Sequence, residues 1–314
     1  MIQLESVGKR YGDVWAVSDL SLRIPEGQTL ALIGTSGCGK TTTLKMINRL
    51  IEPSTGRIRV EGLTDTDPIQ LRRHMGYVIQ DMGLFPHYTA VDNASVVPGL
   101  LGWERDRIRR RVAYLFDQLG LPVDRFGAKY PHQLSGGQQQ RIGIARALAA
   151  DPPIILMDEP FGALDPITRR EIRADFMELE ELVNKTTVIV THDVEEAFDM
   201  ADQICLLDAG RVQQTGTPRE LLLSPANSFV EQFLAGQRTQ LELKVIELGE
   251  LIDYLPEAQK EAGDDQVELK ESDTVALAVE KLQASPGRSM IGRMQDRAFK
   301  LPELMRAFYK AVSS

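Results

Sequence analysis

Apolar and polar residues alternate through "IQLESVGKRY" and "LSLRI", the period-2 signature of strands with one buried face. "TLALIG" differs: it is a near-continuous apolar run, as in a strand covered on both sides. It meets a glycine-rich loop, after which "TTTLKMINRLI" sets Leu44, Ile47 and Ile51 at helical spacing. "GRIRVEG" and "HMGYVIQ" predict further strands. From about Pro86 to Leu134 the pattern turns mainly helical, with "RDRIRRRVAYLFDQLGL" the clearest element. "PIILMDEP" and "TTVIVTHD" are again apolar runs, up to Asp158 and His192, and read as parallel strands buried on both faces. "ADQICLLDAGRVQQTGTP" predicts a hairpin turning at Ala209–Gly210.

The segment from Thr239 to Ser314 changes character, being acidic and carrying the polar stretch "EAQKEAGDDQ". "QVELK", "DTVALAVEKLQ", "SMIGRM", "AFKL" and "PELMRAFYKAV" suggest a β-α-β-β-α order. We expect a boundary near 236 to 245, giving one domain over 1–236 and a smaller one over 239–314.

Composition narrows the class. A chain of 314 residues suggests roughly two domains, and 43% hydrophobic with 26% charged residues suffices for a sizeable core. No apolar run approaches the ~20 residues that span a bilayer, and "MIQLESVGKRYG" has no signal core, so a membrane role runs through a partner. Two cysteines, Cys38 and Cys205, make no disulfide framework and suit a reduced, cytoplasmic chain. The net charge of -9 argues against nucleic acid as a partner. The basic run "RDRIRRR" sits in an amphipathic pattern and reads as a solvated helix face.

The chemistry concentrates in "GTSGCGKTT", residues Gly34, Thr35, Ser36, Gly37, Cys38, Gly39, Lys40, Thr41 and Thr42. It fits G-x-x-x-x-G-K-[ST] between a strand and a helix, the context in which such a loop cradles phosphates. The glycines let successive N–H groups converge on one anion, and the following helix adds its positive end. Lys40 reaches the β- and γ-phosphates, and the Thr41 hydroxyl suits Mg²⁺. Asp158 and Glu159 end an apolar strand, where carboxyl ends of a parallel sheet converge on a ligand. Asp158 then reaches the metal, and Glu159 can accept a proton from an attacking water. Gln80 and His192 hold equivalent strand-end positions. Cys38 lies inside the loop, so alkylation is expected to block nucleotide binding.

"QLSGGQQQRIGIARAL" also opens a helix. Ser135 and Gln138 match a capping box, which explains a helix start. Capping does not require Gly136 and Gly137, which suggest a phosphate approaching the backbone closely.

Taken in order, Tyr11, residues 34 to 42, Gln80, "LSGGQ" at 134 to 138, "IILMDE" at 154 to 159, "GALD" at 162 to 165 and His192 resemble the nucleotide-binding subunit of an ATP-binding cassette (ABC) transporter. The resemblance covers about residues 1 to 236. It implies an α/β fold, a P-loop NTPase with a mixed sheet core, an antiparallel β subdomain and a helical subdomain at about 86–150, followed by a small α/β domain or tail. It implies an ATPase whose ligands are ATP and Mg²⁺. By position, Tyr11 stacks on adenine, and Lys40, Thr41 and Asp158 hold phosphates and metal. Gln80 senses metal and water, Glu159 is the general base, and His192 contacts the γ-phosphate. Asp165 lies at a subunit interface, and Ser135, Gly136, Gly137 and Gln138 close over ATP bound to a second copy of the chain.

Within that family, "LKMINRLIEPSTGRI", "MGYVIQDMGLFPHYT", "PGLLGWERDRI" and "MDEPFGALDPITRREI" resemble importers of quaternary-amine osmoprotectants such as glycine betaine, choline and carnitine. The implied partners are a second copy, transmembrane permease subunits docking around Gly83 to Gly99, and indirectly an extracytoplasmic solute-binding protein. The implied location is the cytoplasmic face of the inner membrane. Importers of sugar, polyamine or sulfate share the motifs, as do soluble cassettes of repair and translation. The tail is too short for the paired cystathionine-β-synthase (CBS) modules of many relatives. Its element order suits one degenerate module able to pair across a dimer; a dimer-stabilising or disordered tail is the alternative.

Overall fold

The structure is a computed structural model; it describes every residue except 61, 63–66, 81–82, 180–181, 183, 258–265, 285–289 and 313–314. The chain forms two compact units, Met1–Thr217 and Pro218–Ser314. The division falls earlier than the 236 to 245 expected from composition, because the helices at Pro218–Leu223 and Ser228–Ala235 belong with the second unit.

The first unit opens with strands β1 (Ile2–Tyr11) and β2 (Val14–Ile24). Strand β3 (Thr29–Gly34) runs into the glycine loop and helix α1 (Lys40–Ile47), followed by β4 (Thr55–Val60). Strands β2, β1 and β4 make an antiparallel sheet of their own. A short helix α2 (Pro68–Arg73), capped by Asp67, leads to β5 (Met75–Val78). Four helices follow: α3 (Ala90–Leu100), α4 (Arg105–Gln118), α5 (Val123–Phe126) and α6 (Gly136–Leu148). Two of them, α3 and α6, begin at side-chain caps. The Thr89 hydroxyl accepts from the Asp92 amide, and Ser135 does the same for Gln138.

Strand β6 (Ile154–Asp158), helix α7 (Pro166–Met177), strand β7 (Thr186–Val190), helix α8 (Val194–Met200) and the hairpin of β8 (Gln203–Asp208) and β9 (Arg211–Gly216) complete this unit. The hairpin turns at Ala209 and Gly210, with φ of 44° and 77°, the pair of positive angles that a two-residue turn between right-twisted strands requires. The six-stranded sheet runs β5-β6-β7-β3-β8-β9, parallel except for β9. The chain therefore leaves β5, β6, β7 and β3 at one edge, which brings Gln80, Asp158, His192 and the glycine loop together.

Two cores support that edge. Leu4, Val17 and Ile58 of the antiparallel sheet pack with Leu32, Leu44, Leu156 and Val190. Leu115, Phe116, Ile142 and Leu148 of the helical segment pack with Ile155, Met157, Phe161 and Phe176.

The second unit contains α9 (Pro218–Leu223), α10 (Ser228–Ala235), α11 (Arg238–Val245), β10 (Gln266–Glu268), α12 (Val275–Gln283), β11 (Ile291–Met294), β12 (Arg297–Phe299) and α13 (Leu301–Val312). From β10 onward the order is the expected β-α-β-β-α. β11 lies centrally, parallel to β10 and antiparallel to β12. Val275, Ala278, Phe299, Leu304 and Phe308 form its buried face. The polar stretch "EAQKEAGDDQ" falls mostly outside the described residues. No helix among the described residues is long and apolar enough to cross a membrane.

Candidate active site

The glycine loop closes on itself only because its glycines are glycines. Gly34 has φ of 141°, and a Cβ there would stand 1.9 Å from the Leu207 carbonyl oxygen of β8. Gly39, with φ of 100°, caps α1 where a Cβ would meet the Ala16 carbonyl oxygen at 2.4 Å. The loop is pinned sideways by Thr35, whose hydroxyl donates to Asp208 Oδ1 at 2.7 Å. Lys40 Nζ folds back to donate to the carbonyl oxygens of Gly34 and Thr35, at 2.9 and 3.0 Å. A single ammonium thereby holds the loop in the curvature that turns its amides toward an anion.

Thr41 Oγ1 donates to Asp158 Oδ1 at 2.8 Å, joining the start of α1 to the end of β6. Asp158 is buried, and burial raises its carboxyl above the ordinary range while the Thr41 hydrogen bond acts against that rise. A hydroxyl and one carboxylate form a hard-oxygen donor set that fits Mg²⁺.

Glu159 follows with φ of 46°, a strained angle for a side-chain-bearing residue, held by its amide donating to the Val190 carbonyl oxygen at 2.9 Å. That twist turns its carboxylate away from the core and toward two strand ends. Gln80 Nε2 donates to Glu159 Oε2 at 3.1 Å, and His192 Nδ1 approaches the same oxygen at 3.2 Å. Gly34, Ser36, Gly37, Cys38, Gly39, Lys40, Thr41, Thr42, Glu159 and His192 line one open cleft of about 570 Å³. The glycine loop, the Thr41–Asp158 pair and the Glu159 carboxylate thus share one edge of one sheet.

An ABC transporter family pattern matches residues 17–162. The glycine betaine/carnitine/choline transport ATP-binding protein of Bacillus subtilis is 53% identical over 241 residues, covering 76% of this chain and 63% of that one. The glycine betaine uptake system ATP-binding protein of Escherichia coli is 47% identical over 266 residues, covering 84% and 85%. The chain belongs to the ABC transporter ATP-binding family. It spans a little under two thirds of the Bacillus relative's length, at 63%. A dimeric ATP-binding cassette in a post-hydrolysis state with ADP and Pi superposes with a TM-score of 0.61 at 35% identity, covering 69% of this chain and 98% of that one.

Other expected cassette residues lie outside this cleft's lining. Tyr11 ends β1 with its ring half exposed and Lys9 Nζ 5.3 Å from its centroid. Ser135 and Gln138 form the reciprocal cap of α6, Gln138 Oε1 accepting from the Ser135 amide at 3.1 Å. Asp165 caps α7, accepting from the amides of Ile167 and Thr168 at 3.2 and 3.1 Å. The bonds from Thr168 hold its carboxyl below the ordinary range. Gly137 has an explanation within the chain: a Cβ there would lie 2.8 Å from Thr168 Cγ2 and 3.2 Å from Ile172 Cδ1. Close packing of α6 on α7 therefore favours glycine here, a reason that capping does not supply.

Three further residues escaped the sequence reading. Arg169 donates to the carbonyl oxygens of Phe161, Gly162 and Leu164 at 3.1, 3.3 and 3.1 Å, shaping the turn after Glu159. Thr191 and Glu196 are buried behind His192. The only signal for Glu196 was its place four residues beyond His192 on the inner face of α8.

Proposed function

We propose that this chain is the ATP-hydrolysing subunit that energises an ABC importer of quaternary-amine osmoprotectants such as glycine betaine, choline or carnitine. The observation that carries the hydrolytic reading is the convergence of Gln80 and His192 on Glu159 Oε2 at the mouth of the phosphate cradle. In this reading Lys40 and the loop amides hold the phosphates, Glu159 takes a proton from the attacking water, and Gln80 and His192 orient that carboxylate. Thr41, Asp158 and Gln80 would hold Mg²⁺, which would supply charge neutralisation on the phosphoryl oxygens. Catalysis is then positioning and electrostatics, which suits a site built from fixed strand ends.

The capped start of α6, with Ser135, Gly136, Gly137 and Gln138, together with Asp165, serves ATP bound by a second copy. Tyr11 stacks on the adenine of the ATP held by this chain's own glycine loop. The cargo assignment is supported by the Bacillus relative, a glycine betaine/carnitine/choline transport ATP-binding protein, and the Escherichia relative, a glycine betaine uptake system ATP-binding protein. The partners are accordingly a second copy, permease subunits at the membrane, and a solute-binding protein indirectly. The second unit is read as one CBS-like module for regulation or dimerisation, supported by its β-α-β-β-α order.

The test is direct. The purified chain should hydrolyse ATP with Mg²⁺, and vesicles holding it with its permease should accumulate labelled glycine betaine on internal ATP. Uptake of sulfate or polyamine instead would overturn the cargo, and absence of hydrolysis would overturn the whole reading.

A further inference from the structure

His192 projects from a turn whose shape is set one layer deeper. Strand β7 ends at Val190, and Thr191 continues it by donating its amide to the Leu32 carbonyl oxygen at 3.2 Å. Thr191 is buried, and its hydroxyl shares a hydrogen bond with Glu196 Oε2. The same hydroxyl oxygen accepts from the Asp193 amide at 3.0 Å, and Asp193 Oδ1 accepts from the Glu196 amide at 3.2 Å. His192 is thus the outward residue of a ring closed by Thr191, Asp193 and Glu196.

Glu196 is 4% exposed, and its other oxygen, Oε1, has no hydrogen-bond partner among the described residues. The charges facing it are Asp193 on its own turn and Arg169 and Arg173 from α7. Neither arginine is committed to it. Arg173 pairs with Asp199 at 2.9 Å, and Arg169 serves the three carbonyls of the 161–164 turn and lies 3.7 Å from Asp193. An ionised carboxylate would leave a dry, charged oxygen beside a like charge, an expensive arrangement. A neutral acid accepts the Thr191 hydroxyl on Oε2 and carries its proton on Oε1, which leaves an uncharged hydroxyl unpaired instead of a charge.

We propose that Glu196 acts as a neutral carboxylic acid that positions His192 against Glu159 by locking the Thr191–Asp193 turn. Burial agrees with this, raising the Glu196 carboxyl to about 7. The proposal rests on the ATPase reading of the cleft and adds a positioning residue to it. Ionisation at higher pH loosens the turn, so hydrolysis slows while phosphate binding by the Lys40 loop persists.

The experiment is steady-state ATP hydrolysis by the full chain from pH 5.5 to 9, for the native protein, Glu196→Gln and Glu196→Ala. The native kcat should fall as pH rises through about 7, and Glu196→Gln, which stays neutral, should lack that limb while remaining within about threefold of native at pH 6. Glu196→Ala should lose about tenfold or more in kcat at every pH, with KM for ATP changed less than about twofold, as expected for misplacement of a reacting group. A Glu196→Gln profile with the native shape would overturn the proposal, and so would a Gln variant as slow as the Ala variant. Thermal melts identify an unfolded Ala variant, in which case the Gln comparison decides alone. A native protein that hydrolyses no ATP at any pH would sink the ATPase reading instead.

Discussion

Thr41 Oγ1 and Asp158 Oδ1 lie 2.8 Å apart, bridging the helix after β3 to the end of β6 across the intervening strand β7. Thr41 presents its hydroxyl and Asp158 its carboxylate to one point, so the proposed Mg²⁺ would bind there without rearrangement of the sheet. Asp158→Asn preserves an acceptor for Thr41 and removes the charge. It should need at least about tenfold more Mg²⁺ for half-maximal hydrolysis, and bind ATP normally in EDTA. Mg²⁺ titration of activity, beside fluorescent-nucleotide binding in EDTA, checks both halves.

Glu159→Gln keeps the size and the neighbours of the side chain and removes its basicity. Hydrolysis should fall at least ~100-fold, while ATP binding survives and the chain elutes as a dimer with ATP. Single-turnover hydrolysis and size-exclusion chromatography read these outcomes, and a variant near native rate would remove Glu159 from its role.

Glycine substitutions should separate loop geometry from helix packing. In Gly34→Ala the new methyl group meets a backbone oxygen at 1.9 Å, which β8 cannot relieve without parting from β3. We expect a loss above about 3 kcal/mol, or no folded protein. Gly137→Ala meets side-chain carbons at 2.8 and 3.2 Å, costing about 1–3 kcal/mol, offset by up to about 1 kcal/mol of alanine's helical preference. Denaturant melts of both variants test the ordering.

Stability should carry the Glu196 signature as well as rate. Its carboxyl sits at about 7 when folded against an ordinary 4.5. Between those values the folded chain holds a proton that the unfolded chain has released, so stability declines as pH rises through that window and levels off above it. Glu196→Gln should flatten this slope, and midpoints of urea unfolding at pH 5 and pH 8 measure it.

Cys38 is 2% exposed although it lies in the loop, and its sulfur faces inward, 3.7 Å from Lys40 Nζ. Cys205, also buried, has its thiol pushed up to about 11 by burial. Thiol reagents should therefore label neither residue at an appreciable rate in the native chain, and both on denaturation. Rapid native labelling that ATP blocks would restore the exposed placement expected from loop position alone.

Apolar runs revealed most strands of the central sheet, because burial on both faces leaves little room for polar residues. Turn chemistry at Ala209–Gly210 and the Ser135–Gln138 cap were equally visible, since both are local. What stayed hidden depends on distant partners. Nothing in "LSGGQ" discloses that Gly137 faces Thr168, and nothing in "HDVEE" says which glutamate is buried beneath a threonine. The two compact units part at 217/218 rather than near 236 to 245 for the same reason: only contacts assign the helices at 218–223 and 228–235 to the second unit. The phosphate cradle was readable because its glycines, lysine and threonine are contiguous, whereas the ring behind His192 is assembled from a strand end and one face of α8.

The close packing of α6 on α7 at Gly137 has a wider consequence. Ser135 caps one of these helices and Asp165 caps the other, so the two caps cannot shift independently. In the proposed reading, both caps therefore meet a second copy as one surface, and a substitution that loosens one loosens the other.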